Sequence, residues 1–271
     1  MKILSDFLRL HDRRVLTAAI LLLLLVPALI LMATGEENGE EKQHKLGLMT
    51  TLPLYWSGAG FQDMVQSSSA PAPAYERLDA KYQIKLLDAA DKDSLKSVHM
   101  LLLAQSRALS PMEFVDLDQW VRSGGHVLIL ADPALQWESG FPLGDKRRPL
   151  FTSLLSPLFS HWGLELALPI DEGSEEDVIK KQGSFQIRTV TPGIWAKSGK
   201  NSSAKCIVSD DAFVARCNIG KGSAILVADA DFLNADTWSG SGMRLLSGDD
   251  DFDNMTWTES LLDQLWHHDA G

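Results

Sequence analysis

The sequence predicts an α/β domain, with a mostly parallel sheet and a later β-hairpin, carried behind a single N-terminal transmembrane helix. Three observations carry that prediction. An apolar run fills Val15–Met32. Behind it, apolar segments of strand length alternate with helical patterns. Residues 98–133 then spell a strand, a capped helix and a second strand, which is the βαβ grammar of a parallel sheet. The balance of 45% hydrophobic and 23% charged residues is that of a folded globular chain. A net charge of −11 leaves no broad basic surface, so nucleic acid is not an expected partner. Two cysteines exclude a disulfide-dense scaffold and a four-cysteine zinc site.

At ~1.5 Å per residue the apolar run spans roughly 27 Å, enough to cross a bilayer core. Pro27 lies inside it, and membrane helices tolerate that. Lys2, Arg9, Arg13 and Arg14 precede the run, while Glu36, Glu37, Glu40 and Glu41 follow it. The positive-inside rule therefore places the N-terminus in the cytoplasm and the rest outside. Leu31-Met32-Ala33 is a poor cleavage site, which favours an uncleaved signal anchor over a signal peptide. No second run of comparable length follows. The expected layout is a cytoplasmic tail at residues 1–14, a transmembrane signal anchor at 15–33, a linker at 34–45 and an extracytoplasmic α/β domain at 46–268. The first fourteen residues carry four Lys/Arg against two Asp, a net +2, so the remainder carries −13.

Within the domain, strands are expected at 46–54, 83–87 and 98–104, with a short helix at 75–82. Ser110-Pro111-Met112-Glu113 combines an N-cap Ser, Pro at N1 and Glu at N3, a capping box that opens the next helix. Phe114, Leu117 and Val121 line one face of it, and Gly124-Gly125 supply its C-cap. His126–Ala131 reads as a buried strand, closed by Asp132-Pro133. Residues 134–149 read as a loop, 150–162 as a helix and 171–182 as an acidic loop. Later strands are expected at 184–190, 204–209, 212–218 and 223–228. A final helix begins near a second capping box, Thr256-Trp257-Thr258-Glu259.

A turn near Asp210-Asp211 sets Cys206 opposite Cys217 across a hairpin. A cross-strand disulfide is feasible there if the pair is a narrow, non-hydrogen-bonded one, and an extracytoplasmic compartment preserves it. The other reading is two buried thiols.

Two stretches resemble a known family. One runs from Leu101 to Pro133 and contains Leu109-Ser110-Pro111-Met112-Glu113, the Gly124-Gly125 pair, an apolar strand and Asp132-Pro133. The other is Ala224-Ile225-Leu226-Val227-Ala228-Asp229-Ala230-Asp231-Phe232-Leu233-Asn234, a strand ending in Asp-x-Asp-Phe-Leu before a loop and a last helix. Together they resemble auxiliary components of ABC-type transport systems, a group that includes the gliding-motility accessory proteins. The resemblance implies a flavodoxin-type, glutamine-amidotransferase-like domain. It also implies ABC-type permease and ATPase subunits as partners and a bacterial inner membrane as location, with the domain periplasmic.

Amidotransferase-like catalysis needs a nucleophile flanked by glycines on a sharp strand-to-helix turn. Here the third strand ends in Leu103-Ala104-Gln105-Ser106-Arg107, without glycine. Ser106 is the sole candidate nucleophile at that turn, and the expectation is a non-catalytic accessory protein with no cofactor. The alternative is a small polar ligand held where the strands end. Thr50, Thr51, Gln105, Asp132, Asp229 and Asp231 are the candidate rim, although Asp residues at such places also cap helices and tie loops. Asp249, Asp251 and Asp253 resemble the start of a calcium loop but lack its closing Glu, so no metal is expected. Lys146, Arg147 and Arg148 read as a solvated loop.

Overall fold

The computed structural model describes residues 44–55, 71–142, 144–145, 147–169, 177–199, 202, 204–241 and 248–267. The tail, the anchor at 15–33 and the linker up to residue 43 lie outside the described residues. Among the described residues no helix is long and apolar enough to cross a membrane. Residues Lys42–Gly271 form one compact unit.

Its centre is a seven-stranded sheet. Four of the strands come early: β1 (Lys45–Thr50), β2 (Gln83–Leu86), β3 (Met100–Ala104) and β4 (His126–Leu130). Three come late: β9 (Lys205–Val208), β10 (Val214–Ile219) and β11 (Gly222–Val227). The order is β2-β1-β3-β4-β11-β10-β9. The first five are mutually parallel, and β10 and β9 add an antiparallel extension. A sheet that starts beside its own first strand and then crosses to the other side is the doubly wound arrangement. Every residue of β3, β4 and β11 is buried, as expected of parallel strands covered on both faces.

The covering helices are α1 (Pro73–Lys81), α2 (Lys92–Leu95), α3 (Pro111–Arg122), α4 (Ser156–His161), α5 (Ala235–Trp238) and α6 (Asn254–His267). The α3 helix opens on the expected capping box: Glu113 N–H donates to Ser110 Oγ and Ser110 N–H to Glu113 Oε2, at 3.3 and 2.8 Å. Glu113 also accepts from Ala90 N–H at 3.0 Å and from Arg107. Burial pushes the Glu113 carboxyl up, but these hydrogen bonds outweigh it and bring it down to about 2. Trp257 of α6 lies between Phe213 and Phe232, with ring centres 5.9 and 5.4 Å away, and so seats the last helix on the sheet.

Two small sheets flank the main one: β5 (Leu164–Ala167) with β8 (Ile194–Lys197), and β6 (Asp177–Gln182) with β7 (Phe185–Val190). Residues 177–182 are therefore a strand, not part of an acidic loop, while 171–176 lie outside the described residues. The reason is the two-residue Gly183-Ser184 turn, where Gly183 has φ +62° and closes a hairpin. The helix expected at 150–162 is confined to Ser156–His161, because Pro157 fits only its first turn. The last helix starts at Asn254, not Thr256. Asn254 is fully buried; its Nδ2 donates to the Arg188 and Phe232 carbonyls at 2.8 Å each, and its Oδ1 accepts from Arg188 N–H. That anchoring starts the helix one half-turn earlier than the local pattern indicates.

Cys206 and Cys217 are paired residues of β9 and β10, joined by a disulfide with Cα atoms 4.0 Å apart. This spacing belongs to the narrow, non-hydrogen-bonded class of cross-strand pair. At Gly222, a Cβ would lie 2.1 Å from the Gly125 carbonyl oxygen and 2.2 Å from that of Val121. The absence of a side chain is what lets β11 close against the end of α3.

Replacing both cysteines by Ser is expected to cost about 2–3 kcal/mol. Reduction should bring the parent protein down to the same urea midpoint, whereas an unchanged midpoint under reductant contradicts a stabilising bond. Gly222→Ala is expected to cost about 3 kcal/mol, since backbone oxygens cannot move aside as a side chain can. The same unfolding measurement checks it.

Candidate functional site

The C-terminal ends of the parallel strands converge on one rim, and all six predicted rim residues lie along it. They do not form one open cleft. Thr50 ends β1, and its hydroxyl accepts from Leu52 N–H at 2.9 Å. The Thr51 hydroxyl donates to the Gln105 carbonyl at 2.6 Å and accepts from Leu150 N–H at 3.3 Å. Gln105 follows β3 with φ +44°, a left-handed bend. Its Oε1 accepts from Asp132 N–H at 3.0 Å, and its Nε2 donates to the Leu150 and Asp132 carbonyls at 2.8 and 3.3 Å. The amide thus acts as a further peptide unit between β3 and the segment after β4.

Asp132, Asp229 and Asp231 cluster behind this layer, with exposures of 0%, 0% and 3%. Asp132 accepts from Ala134 N–H at 2.7 Å and Ala230 N–H at 3.1 Å. Asp229 accepts from the Thr189 hydroxyl at 2.5 Å and Phe232 N–H at 3.1 Å. Asp231 accepts from Gln136 N–H at 2.8 Å and is hydrogen-bonded to Asp132. Burial drives all three carboxyls up. Neighbouring charge adds to this for Asp132 (from Asp229 and Asp231) and for Asp229 (from Asp231). Asp231 is pushed up to about 6. Buried and hydrogen-bonded in this way, the three carboxyls are structural ties between β4, β7 and β11.

The open space lies to one side, at the ends of β1 and β2. It is a cavity of about 260 Å³ walled by Thr50, Thr51, Tyr55, Leu86, Asp88 and Arg107. Tyr55, Asp88 and Arg107 were not legible as site residues. The signal for Arg107 was its place six residues before the capping Glu113. Its guanidinium donates to the Asp88 carbonyl at 3.0 and 2.6 Å, to the Ala108 carbonyl at 2.7 Å and to Glu113 at 3.2 and 2.5 Å. These bonds commit it to holding the wall. Burial, then the charge of Asp88, raises the Tyr55 phenol above its usual value.

The sharp bend after β3 falls at Gln105, one residue before Ser106. A carboxamide is not a nucleophile, and this one is spent on three backbone bonds. Ser106 is buried, and its hydroxyl has no hydrogen-bond partner among the described residues. Near the possible calcium loop, Asp251 accepts from Ser241 and Asp253 from Gln186 N–H. Among the described residues no group of three or more His, Cys, Asp or Glu side chains is arranged to hold a metal. Arg147 pairs with Asp145 at 2.7 Å, and Arg148 donates to the Phe141 carbonyl at 2.8 Å. Lys146 lies outside the described residues.

The carboxyl cluster sets a pH dependence with a definite sign. Asp231 titrates at 3.8 when unperturbed and at about 6 when folded, so the unfolded chain gives up its proton first. Its stabilising contribution is complete below pH 3.8 and is lost as pH rises through about 6. Asp231→Asn removes this titration. Urea midpoints of the variant should therefore fall less than those of the parent between about pH 4 and pH 6. Parallel curves would contradict the account.

Residues 43–167, from β1 to β5, match the family described as ABC-type uncharacterized transport system. No curated protein sequence matches the chain. Among solved structures, the mmIFT52 N-terminal domain aligns with a TM-score of 0.48 at 13% identity, over 81% of this chain and 96% of that one. A cytoplasmic protein, STM1381 from Salmonella typhimurium LT2, aligns with a TM-score of 0.43 at 9% identity, over 82% and 99%. The exo-beta-1,4-mannosidase Op5Man5 from Opitutaceae bacterium strain TAV5 aligns with a TM-score of 0.41 at 13% identity, over 80% of this chain and 36% of that one. The family match rests on the part of the chain that holds β1 to β5 and the Gln105 bend.

Proposed function

We propose that the chain is a non-catalytic, membrane-anchored accessory of an ABC-type transport system that acts by protein interaction through its extracytoplasmic domain. The permease and ATPase are its partners. The anchor is the Val15–Met32 run in a bacterial inner membrane, with the N-terminus cytoplasmic and the domain periplasmic. The carrying observation is the family match over residues 43–167. The gliding-motility type of accessory and the glutamine-amidotransferase-like ancestry belong to the same reading. They draw support from the Leu109–Glu113 and Asp229–Leu233 motifs and from the doubly wound strand order. The Cys206–Cys217 bond suits an oxidising compartment. Gln105 at the bend supports the absence of acyl-transfer chemistry.

A second reading is favoured by the cavity beside Thr50, Tyr55 and Asp88, which has the polarity for a small polar ligand. A ligand bound there raises the melting temperature, by an increment that grows with the logarithm of its concentration above Kd.

Mass spectrometry of a mild-detergent capture of the intact, tagged chain from its native membrane tests the first reading. The expected result is enrichment of one ABC ATPase with its permease. Full-length chain recovered without either one overturns it.

A further inference from the structure

The seven-stranded sheet ends on β2 at one side and on β9 at the other. The two edges differ. β2 holds Lys85 inside its short run, and a charged side chain there guards an edge against pairing with another chain. β9 holds Ile207 at the same kind of position. Ile207 is 74% exposed, more than any other large apolar residue described.

The register fixes which way the β9 backbone points. Ser209 N–H donates to the Val214 carbonyl at 2.8 Å, and Cys206 and Cys217 form a narrow, non-hydrogen-bonded pair. The backbone groups of Lys205 and Ile207 therefore turn inward to β10, and those of Cys206 and Val208 turn outward. Among the described residues no strand lies beyond β9 to take them.

Opposite charges flank this open edge. Lys205 begins β9, and Asp210 and Asp211 lie in the turn that follows it. Lys205 and Asp210 are exposed, and neither forms an ion pair among the described residues. Asp211 is tied by the Ser209 hydroxyl at 2.5 Å and the Gln182 amide at 2.7 Å. A strand with outward hydrogen-bonding groups, an apolar centre and opposite charges at its ends complements itself when turned antiparallel.

We infer that β9 pairs with β9 of a second copy of this chain about a two-fold axis. One register uses every outward group. It sets Cys206 of each copy opposite Val208 of the other in hydrogen-bonded pairs, with Ile207 against Ile207 in a narrow pair between them. Lys205 then lies opposite Ser209, beside the Asp210 turn of the other copy. A slip of two residues parts the isoleucines and carries one outward residue beyond the facing strand. The axis is perpendicular to the sheet, so both copies keep α6 on the same face. The groove of about 250 Å³ that Ile207 and Arg216 share with Gln264 and Leu265 of α6 then adjoins its symmetry mate. Each copy spends β9 and keeps the guarded β2, so the assembly closes at two.

The test is sedimentation of the full chain in mild detergent over a range of concentrations. A monomer–dimer equilibrium is expected. Val208→Pro removes an outward N–H and leaves the inward bonds of Ile207 and Ser209 in place, so this variant should be monomeric. Its melting curve, measured alongside, shows whether it is folded. Lys205→Asp and Asp210→Lys should each raise the dimer dissociation constant about tenfold, because one substitution alters two symmetric contacts. The combined Lys205→Asp/Asp210→Lys chain should recover the parent value. Both charge positions are exposed, so this swap decides the matter where Val208→Pro does not fold. A chain that stays monomeric throughout overturns the inference. So does a folded Val208→Pro chain that still dimerises, a dimer indifferent to either charge reversal, or a combined variant no tighter than the single ones.

Discussion

A parallel sheet covered on both faces leaves its polar backbone exposed mainly at the strand ends, and the ends must be closed by something. In this protein the closure is made of side chains. Gln105 bridges β3 to the segment after β4. Asp132 then reaches Ala230, beyond β11, and Asp231 reaches back to Gln136. Asp229 extends the tie to Thr189 on β7. Each is a buried polar group with its partners in place, which is the condition for burying it at low cost. The late hairpins and the start of α6 are positioned through this layer, since Asn254 bonds both β7 and the Phe232 carbonyl.

That closure decides what the rim can do. Carboxylates at strand ends are the usual raw material of an α/β binding site. Here desolvation raises all three carboxyls, neighbouring charge adds to this for Asp132 and Asp229, and backbone N–H groups occupy acceptor positions. The polar chemistry left open is displaced to the β1–β2 side, where Arg107 is committed to the wall and Thr50, Tyr55 and Asp88 border the space. The bend that could have lifted a nucleophile out of the sheet is used to aim an amide inward.

The charge distribution follows from topology as much as from composition. Turns after parallel strands collect Asp because it tolerates turn geometry and accepts from nearby N–H groups. Segments that enter strands here carry Lys and His. Doubly wound connectivity places the first kind at one end of the sheet and the second kind at the other.

Much of this architecture was legible locally. The capping box of α3, the buried character of β3 and β4, the hairpin that pairs Cys206 with Cys217 and the α/β class all rest on patterns within a few residues. The start of α6 was misplaced because Asn254 is chosen by partners 66 and 22 residues away. β6 was missed because its strand faces no core and is held by a two-residue turn. The rim residues were identified by type and position, but their burial was not, because desolvation depends on what covers a carboxyl and not on its neighbours in sequence. By itself the sequence determined the strand and helix grammar, the capping, the cysteine pairing and the apolar run near the N-terminus, since these follow from short-range sterics, periodicity and hydrogen bonding. Only the tertiary structure decided that Gln105 takes the bend and that three carboxyls are sealed together, because each depends on bringing distant segments into contact and removing water from between them.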